Sequence, residues 1–451
     1  MRIGMLTWES LHSIAVGGVA AHVSELARAL ANEGHDVHVF TRRGPGQPAD
    51  QVVDGATYHR CSFWLSPDFV WETDDMCRSF IDRVLAVESE AGEFDILHGH
   101  DWLTAMSLAW TKNGDARRYI FTFHSTEYGR CGNQHWEGRS RAIRDREWWG
   151  AYTAHRVIAV SGRLKDEIQQ IYRVPADKIQ VVYNGVDVHR FDLPVDVGSV
   201  KERYGLGRMD PTVLFCGRMV WQKGPDILLE AIPPLLGHHP RAKCLFVGDG
   251  EMRWGLEQRA RALGIRDAAR FLGHRSGREL AELFKIADVV CVPSRNEPFG
   301  IVILEAWSAE KPVVATHNGG PGEFVRHGTD GLLVHDSPDS VGWGLGTMFL
   351  DFEKARWMGR NGRAAAEERF DWRTIGRQVA NVYESTGAAS APSPGSGSHT
   401  HRKEPDDPRT HEHSRGQSRA DTQAPPAPAG ERVPRLLRVG PPQPYPLCPA
   451  P

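Results

Sequence analysis

Short unbroken apolar runs, each about the length of one strand, alternate along this chain with longer stretches of helical spacing. Residues 2–8 (RIGMLTW) form the first run. Val19, Val23, Leu26, Ala27 and Leu30 then share one face of a helix over 19–33, Gly34 ends it, and 37–41 is the next strand. The same rhythm predicts strands over 95–98, 119–123, 157–161 and 179–183. Helices are expected over 103–110 and 139–154, and in the stretch ending at Tyr172. Residues 42–90 are less regular. Pro45, Gly46 and Pro48 mark a loop, Phe63, Trp64, Phe69 and Trp71 read as core or as a lid, and a helix is expected over 76–87.

The pattern changes at 192–211, where Pro194, Gly198, Gly205, Gly207 and Pro211 interrupt a short charged helix. Residues 194–211 read as an interdomain linker. Strands follow over 212–216, 243–247, 269–272, 288–293, 313–316 and 331–334, with helices between them. Near-continuous apolar strands alternating with helices imply parallel sheets covered on both faces. The expected fold class is therefore α/β, with doubly wound halves at 1–193 and 212–370. A further helix follows Phe370-Asp371-Trp372, over 371–386. The segment 387–451 is rich in Pro, Ser, Arg, His and Gly, carries about half of the chain's 29 prolines, and reads as a disordered tail. Its histidines at 399, 401, 411 and 413 read as solvated rather than metal-binding.

Composition narrows the function. A length of 451 residues suits two or three domains, and a formal charge of −3 gives no reason to expect nucleic acid or an anionic membrane as partner. Seven cysteines without CxxC spacing suit a reducing compartment. Neither a long apolar span nor a basic-then-apolar leader is present in the sequence, so a cytoplasmic protein without a transmembrane segment is expected.

Candidate chemistry lies where strands end. In a parallel sheet, ligands bind at the carboxyl edge. Gly17-Gly18 opens the first helix, a turn that lets backbone amides approach an anion with help from the helix dipole. Arg218 and Lys223 follow the 212–216 strand. A planar fork and a point charge suit a diphosphate, and would stabilise negative charge on a diphosphate leaving group. Glu297 precedes, and Glu305 lies within, an apolar helix that begins after Phe299-Gly300. A carboxylate there needs a partner. Gly248-Asp249-Gly250 and Gly319-Gly320-Pro321-Gly322-Glu323 are glycine turns at the same edge, readable as ligand loops or as plain turns. In His98-Gly99-His100-Asp101 the two histidines fall on one side of an extended segment. Without a further zinc-like set nearby, Asp101 is the more promising ligand residue and no metal is expected. Motifs of serine hydrolases (GxSxG), P-loop NTPases and zincins (HExxH) are absent.

Taken in order, these motifs resemble a retaining glycosyltransferase of family 4 with the GT-B fold, on its glycogen-synthase-like side. The residues that carry the resemblance are Val16-Gly17-Gly18, His98-Gly99-His100-Asp101-Trp102, Phe123-His124-Ser125, Val160-Ser161 and Tyr183-Asn184-Gly185-Val186-Asp187. In the second half they are Gly217-Arg218, Lys223-Gly224, Gly248-Asp249-Gly250, and Glu297-Pro298-Phe299-Gly300 with Glu305, which form the family's E-x7-E signature. The stretch 126–133 (TEYGRCGN) resembles a glycogen-synthase-like subgroup.

The resemblance implies two Rossmann-like domains facing a central cleft, the first for the acceptor and the second for a nucleotide sugar, and a 371–386 helix that crosses back to the first. It implies hexosyl transfer, with glucose the expected sugar, from an ADP-, UDP- or GDP-sugar to a glycan or small-molecule acceptor, with an α-glycosidic bond formed. Arg218 and Lys223 would hold the diphosphate, with Gly17 and Gly18 closing on it and backbone amides near Phe299 and Gly300 meeting it. Glu297 would bind sugar hydroxyls and Glu305 the ribose. His124 and Asp101 would line the sugar pocket. No metal or other cofactor is implied. A nucleotide-sugar 2-epimerase of the same fold and a non-catalytic nucleotide-sugar-binding protein are the alternatives.

Overall fold

Two sheets stand in series along the chain of the computed structural model, which describes residues 1–112 and 117–388. The tail from 389 onward lies outside the described residues. The first sheet has the order β3-β4-β2-β1-β5-β6-β7-β8. Its strands are β1 (Arg2–Leu6), β2 (Asp36–Arg42), β3 (Asp50–Val53), β4 (Ala56–Cys61), β5 (Ile96–His100), β6 (Arg118–Phe123), β7 (Arg156–Ala159) and β8 (Ile179–Val181). All pairs are parallel except β3 with β4. The second sheet, all parallel, has the order β11-β10-β9-β12-β13-β14. It comprises β9 (Thr212–Cys216), β10 (Lys243–Val247), β11 (Ala269–Gly273), β12 (Val289–Val292), β13 (Val313–Thr316) and β14 (Gly331–Val334). Strand order reverses between β1 and β5 and again between β9 and β12. These switch points are where the connecting helices diverge to opposite faces and leave a crevice.

Three features depart from the pattern reading. The β3–β4 hairpin falls inside the irregular 42–90 stretch. Asp50–Val53 is exposed, and Ala56–Cys61, though largely buried, carries Thr57, His59 and Arg60, so neither shows the apolar run that marks the others. The turn signal was nevertheless present: Asp54-Gly55, with φ of +50° and +82°, is the dipeptide a tight hairpin favours. The next helix starts earlier than its apolar period suggests and spans Phe69–Ala91, because Asp68 caps it by accepting from the amides of Val70 and Trp71 at 3.0 and 3.2 Å. The 194–211 stretch, read as a linker, carries a helix (Val197–Arg203) that packs on the Gly277–Ile286 helix. There Lys201 is buried, donating to the Asp210 carbonyl at 2.8 Å, and Arg203 pairs with Glu282 at 2.7 Å. This part of the stretch rides with the second sheet.

The Trp372–Ala388 helix returns to the first half and lies on the Gly18–Asn32 helix. Ile375 and Val379 join Leu26 and Leu30 in one core cluster, Arg377 pairs with Glu33 at 3.0 Å, and the Tyr383 hydroxyl meets His98 Nδ1 at 2.8 Å. No helix among the described residues is long and apolar enough to cross a membrane.

Candidate active site

The second half brings its charged groups together at the β9/β12 switch point. After β9 the chain turns through Arg218 and reaches Lys223 in a short 3-10 turn that ends at Gly224, φ +63°. Lys223 Nζ lies 2.8 Å from both carboxylate oxygens of Glu297, which follows β12, and Ser294 Oγ donates to Glu297 Oε2 at 2.8 Å. Glu297 is buried.

The glycine turns position these two loops. A Cβ at Gly319, φ +95°, would lie 2.0 Å from the Glu297 carbonyl oxygen. A Cβ at Gly248 would lie 2.0 Å from the Gly217 oxygen, and one at Gly250 would lie 2.5 Å from the Met219 oxygen. Glycine is required because backbone meets backbone, and the effect is to fix the loops that bear Arg218 and Glu297.

Glu305 lies one turn into the helix Ile301–Ser308. Gly300, φ +100°, admits the sharp entry, and Phe299 anchors it among Tyr183, Phe324 and Phe370 with ring centroids 5.0–6.2 Å apart. Burial raises the pKa of Glu305. The sequence offered no protein partner for this carboxylate, but Arg190 of the first half approaches to 3.8 Å and opposes that shift. Glu305 faces a recess lined by His22, Gly185, Arg190 and Trp372.

On the first half, Glu9 directly follows the β1 edge and is buried. Its Oε2 accepts from the amides of Val16 and Gly17 at 2.7 and 2.6 Å. Burial raises its pKa, which those two hydrogen bonds and the charges of Arg42 and Arg218 oppose. The Gly17 amide is therefore already taken up by a carboxylate rather than offered to an anion. Gly18 instead sets the approach of the halves, since a Cβ there would lie 3.1 Å from Ile301 Cδ1.

The histidines separate into two kinds. His98 has both ring nitrogens in use, toward Tyr383 at 2.8 Å and Thr122 Oγ1 at 2.7 Å, and is a core residue. His100 Nδ1 lies 3.3 Å from His124 Nε2. With His22 these rings put their nitrogens within 4.8 Å of one another. Burial pushes all of them down, His124 to about 3, so they are neutral imidazoles. Asn184 stands beside His22, yet neither His22 nitrogen makes a well-aligned hydrogen bond among the described residues.

Asp101 occupies the β5 edge with φ +62° and ψ 168°, a conformation that strains a residue bearing a Cβ. It is held there by the Trp102 amide at 2.9 Å and by Arg130, 3.5 Å from Oδ2, which also binds Glu127 and Glu147.

Besides Arg190–Glu305, further contacts join the halves, among them Arg363 with Asp192 at 2.8 Å. Glu323 accepts from the amides of Gly162 and Arg163 at 2.9 and 2.6 Å, and Asn296 Nδ2 donates to Asn133 Oδ1 at 2.9 Å. Sequence reading missed Glu9 and His22, and it placed Arg130 and Glu323 in candidate loops without giving either a partner. Glu9 and His22 had a signal: a carboxylate directly after a strand, and a polar residue one turn below Gly18 on an apolar helix.

Residues 16–190 match the family described as Glycosyltransferase Family 4, and residues 198–365 match Glycosyl transferases group 1. An uncharacterised glycosyltransferase of Methanocaldococcus jannaschii is 36% identical over 390 residues, 85% of this chain and 98% of that protein. The glycogen synthase of Mycobacterium tuberculosis is 31% identical, over 85% of this chain and 94% of its own length. Among solved structures, sucrose-phosphate synthase from Thermosynechococcus elongatus superposes with a TM-score of 0.73 at 23% identity, covering 86% of this chain and all of that one. An Anabaena protein in complex with UDP-glucose superposes at 0.69 with 23% identity, covering 85% of this chain and all of its own. The chain belongs to the family 4 glycosyltransferases and has their two-domain GT-B fold.

Proposed function

We propose that this enzyme is a retaining hexosyltransferase that moves glucose from a nucleotide-diphosphate sugar to a glycan or small-molecule acceptor, forming an α-glycosidic bond in the cytosol. The observation that carries this reading is the Lys223–Glu297 pair at one switch point, with Arg218 on the loop that leads to Lys223, and Asp101 and His124 at the edge of the other sheet. Arg218 and Lys223 bind the diphosphate of an ADP-, UDP- or GDP-sugar and stabilise its charge as the glycosidic C–O bond breaks. Glu297 orients the sugar, Glu305 the ribose, and the first amides of the Ile301–Ser308 helix, after Phe299 and Gly300, face the phosphates. His124, held neutral by burial, offers a hydroxyl a hydrogen bond without a charge.

A double displacement needs a free carboxylate on the opposite face of the sugar. Glu9, Asp101 and Glu297 are each already bound, to the amides of Val16 and Gly17, to Arg130 and to Lys223 respectively. That favours reaction on one face. The acceptor oxygen bonds to the anomeric carbon as the diphosphate leaves, and a phosphate oxygen takes the acceptor's proton.

No metal is required in this reading. The charges of Arg218 and Lys223 and the amides at the start of the Ile301–Ser308 helix meet the diphosphate, and full turnover in EDTA is expected. Thermal-shift screening across ADP-, UDP- and GDP-sugars tests the donor. Arg218→Ala and Lys223→Ala should abolish the donor-induced shift and turnover, and unchanged turnover in both would overturn the assignment. Conversion of the donor without any acceptor would identify an epimerase instead.

A further inference from the structure

Trp64 and Leu65 are 62% and 57% exposed in the loop between β4 and the Phe69–Ala91 helix. This loop leaves the carboxyl edge of the first sheet, the edge that carries Glu9, Gly17 and Asp101. Three carboxylates of the following helix and its cap fix it. Asp75 accepts from the Trp64 amide at 2.9 Å, Glu72 from the Ser66 amide at 2.9 Å, and Asp68 caps the helix.

Phe69 ties the loop to the site. It packs edge-on against Trp8 at 6.2 Å and Trp102 at 5.8 Å, the chain neighbours of Glu9 and Asp101. The backbone that carries Trp64 is thus fixed beside the site while its indole stands in water, an arrangement that suits a binding platform.

Charge states what it binds. Residues 62–75 contain no lysine or arginine, and, with Asp74 paired to Arg146, they leave Asp68, Glu72 and Asp75 as the acidic groups beside Trp64. Arg42, whose charge acts on Glu72, lies over the Trp8 ring at 3.4 Å. A phosphorylated acceptor would meet like charge here. A neutral pyranose would not: its C–H face suits the negative face of an indole, and its hydroxyl rim suits carboxylate acceptors.

We propose that Trp64, flanked by Leu65, is an acceptor platform for the pyranose ring of an uncharged glycan. This rests on the glycosyltransferase reading above and names its acceptor class.

The test is titration of the full chain with maltotetraose and, separately, with glucose 1-phosphate, followed by saturation-transfer NMR. Trp64→Ala should weaken maltotetraose binding about ten-fold or more, while Trp64→Phe stays near wild type. Equal binding by wild type and Trp64→Ala, no binding by wild type, or tighter binding of glucose 1-phosphate than of maltotetraose would each overturn the proposal. Nucleotide-sugar thermal shifts on the same samples separate the two readings. Trp64→Ala should leave them unchanged, whereas their absence in wild type would count against the transferase reading itself.

Discussion

Lys223 Nζ stands 2.8 Å from each carboxylate oxygen of Glu297, across 74 residues of sequence. Glu297 is 4% exposed, so its charge relies on this partner. Removing one member of a buried pair costs about 3–5 kcal/mol, whereas removing both avoids the stranded charge. Lys223→Ala should therefore lower Tm more than the Lys223→Ala/Glu297→Gln double variant does, while both lose turnover. Calorimetry with steady-state kinetics checks this, and additive losses of stability would show the pair to be uncoupled.

The two glutamates of the signature differ in environment. Glu297 is bound on both oxygens, whereas Glu305 faces a recess with Arg190 at 3.8 Å. Glu305→Ala should chiefly raise the donor KM, and Glu297→Ala should chiefly lower kcat, by about 100-fold. The reverse pattern in donor-saturation curves would break this division of labour.

Gly319 and Gly237 contrast a required glycine with a replaceable one. A Cβ at Gly319 would strike the Glu297 carbonyl at 2.0 Å, whereas one at Gly237 meets nothing within 4 Å. Gly319→Ala should displace the Glu297 loop and cut kcat about 100-fold with the fold retained by circular dichroism. Gly237→Ala, within a helix, should leave kcat unchanged and stabilise by about 0.5–1 kcal/mol.

Burial sets the acid response of the first half. His98 is pushed down to about 3 by desolvation, with His22 adding to the shift. Its unfolded value is about 6.5, so between the two the unfolded chain binds a proton that the folded chain does not. The native advantage is full above about pH 6.5 and falls as pH drops toward 3, by up to about 1.4 kcal/mol per pH unit. Urea titrations from pH 7 to 5 should show a shallower loss for His98→Gln than for wild type, and parallel profiles would contradict the assignment.

Much of the fold was legible because parallel strands buried on both faces write themselves as apolar runs. The six strands of the second sheet and the Arg218, Lys223 and Glu297 loops follow directly from that. The β3–β4 hairpin was not legible by period, because an exposed edge strand such as Asp50–Val53 lacks such a run. Long-range partners were invisible for another reason. That Glu9 holds the Gly17 amide, that Arg190 reaches Glu305, and that Asn184 and Trp372 stand by His22 depend on strand order and on the returning helix. The Gly319 and Gly248 turns were legible in the sequence, but their work as backbone clamps depends on which loops meet across the sheet edge.

The most direct test of the account is real-time proton NMR of the anomeric region. The enzyme is given maltotetraose and whichever of UDP-glucose or ADP-glucose stabilises it. The account predicts an α-configured product and nucleoside diphosphate release that depends on the acceptor. A β-configured product, or donor consumed to an epimer without acceptor, would contradict it.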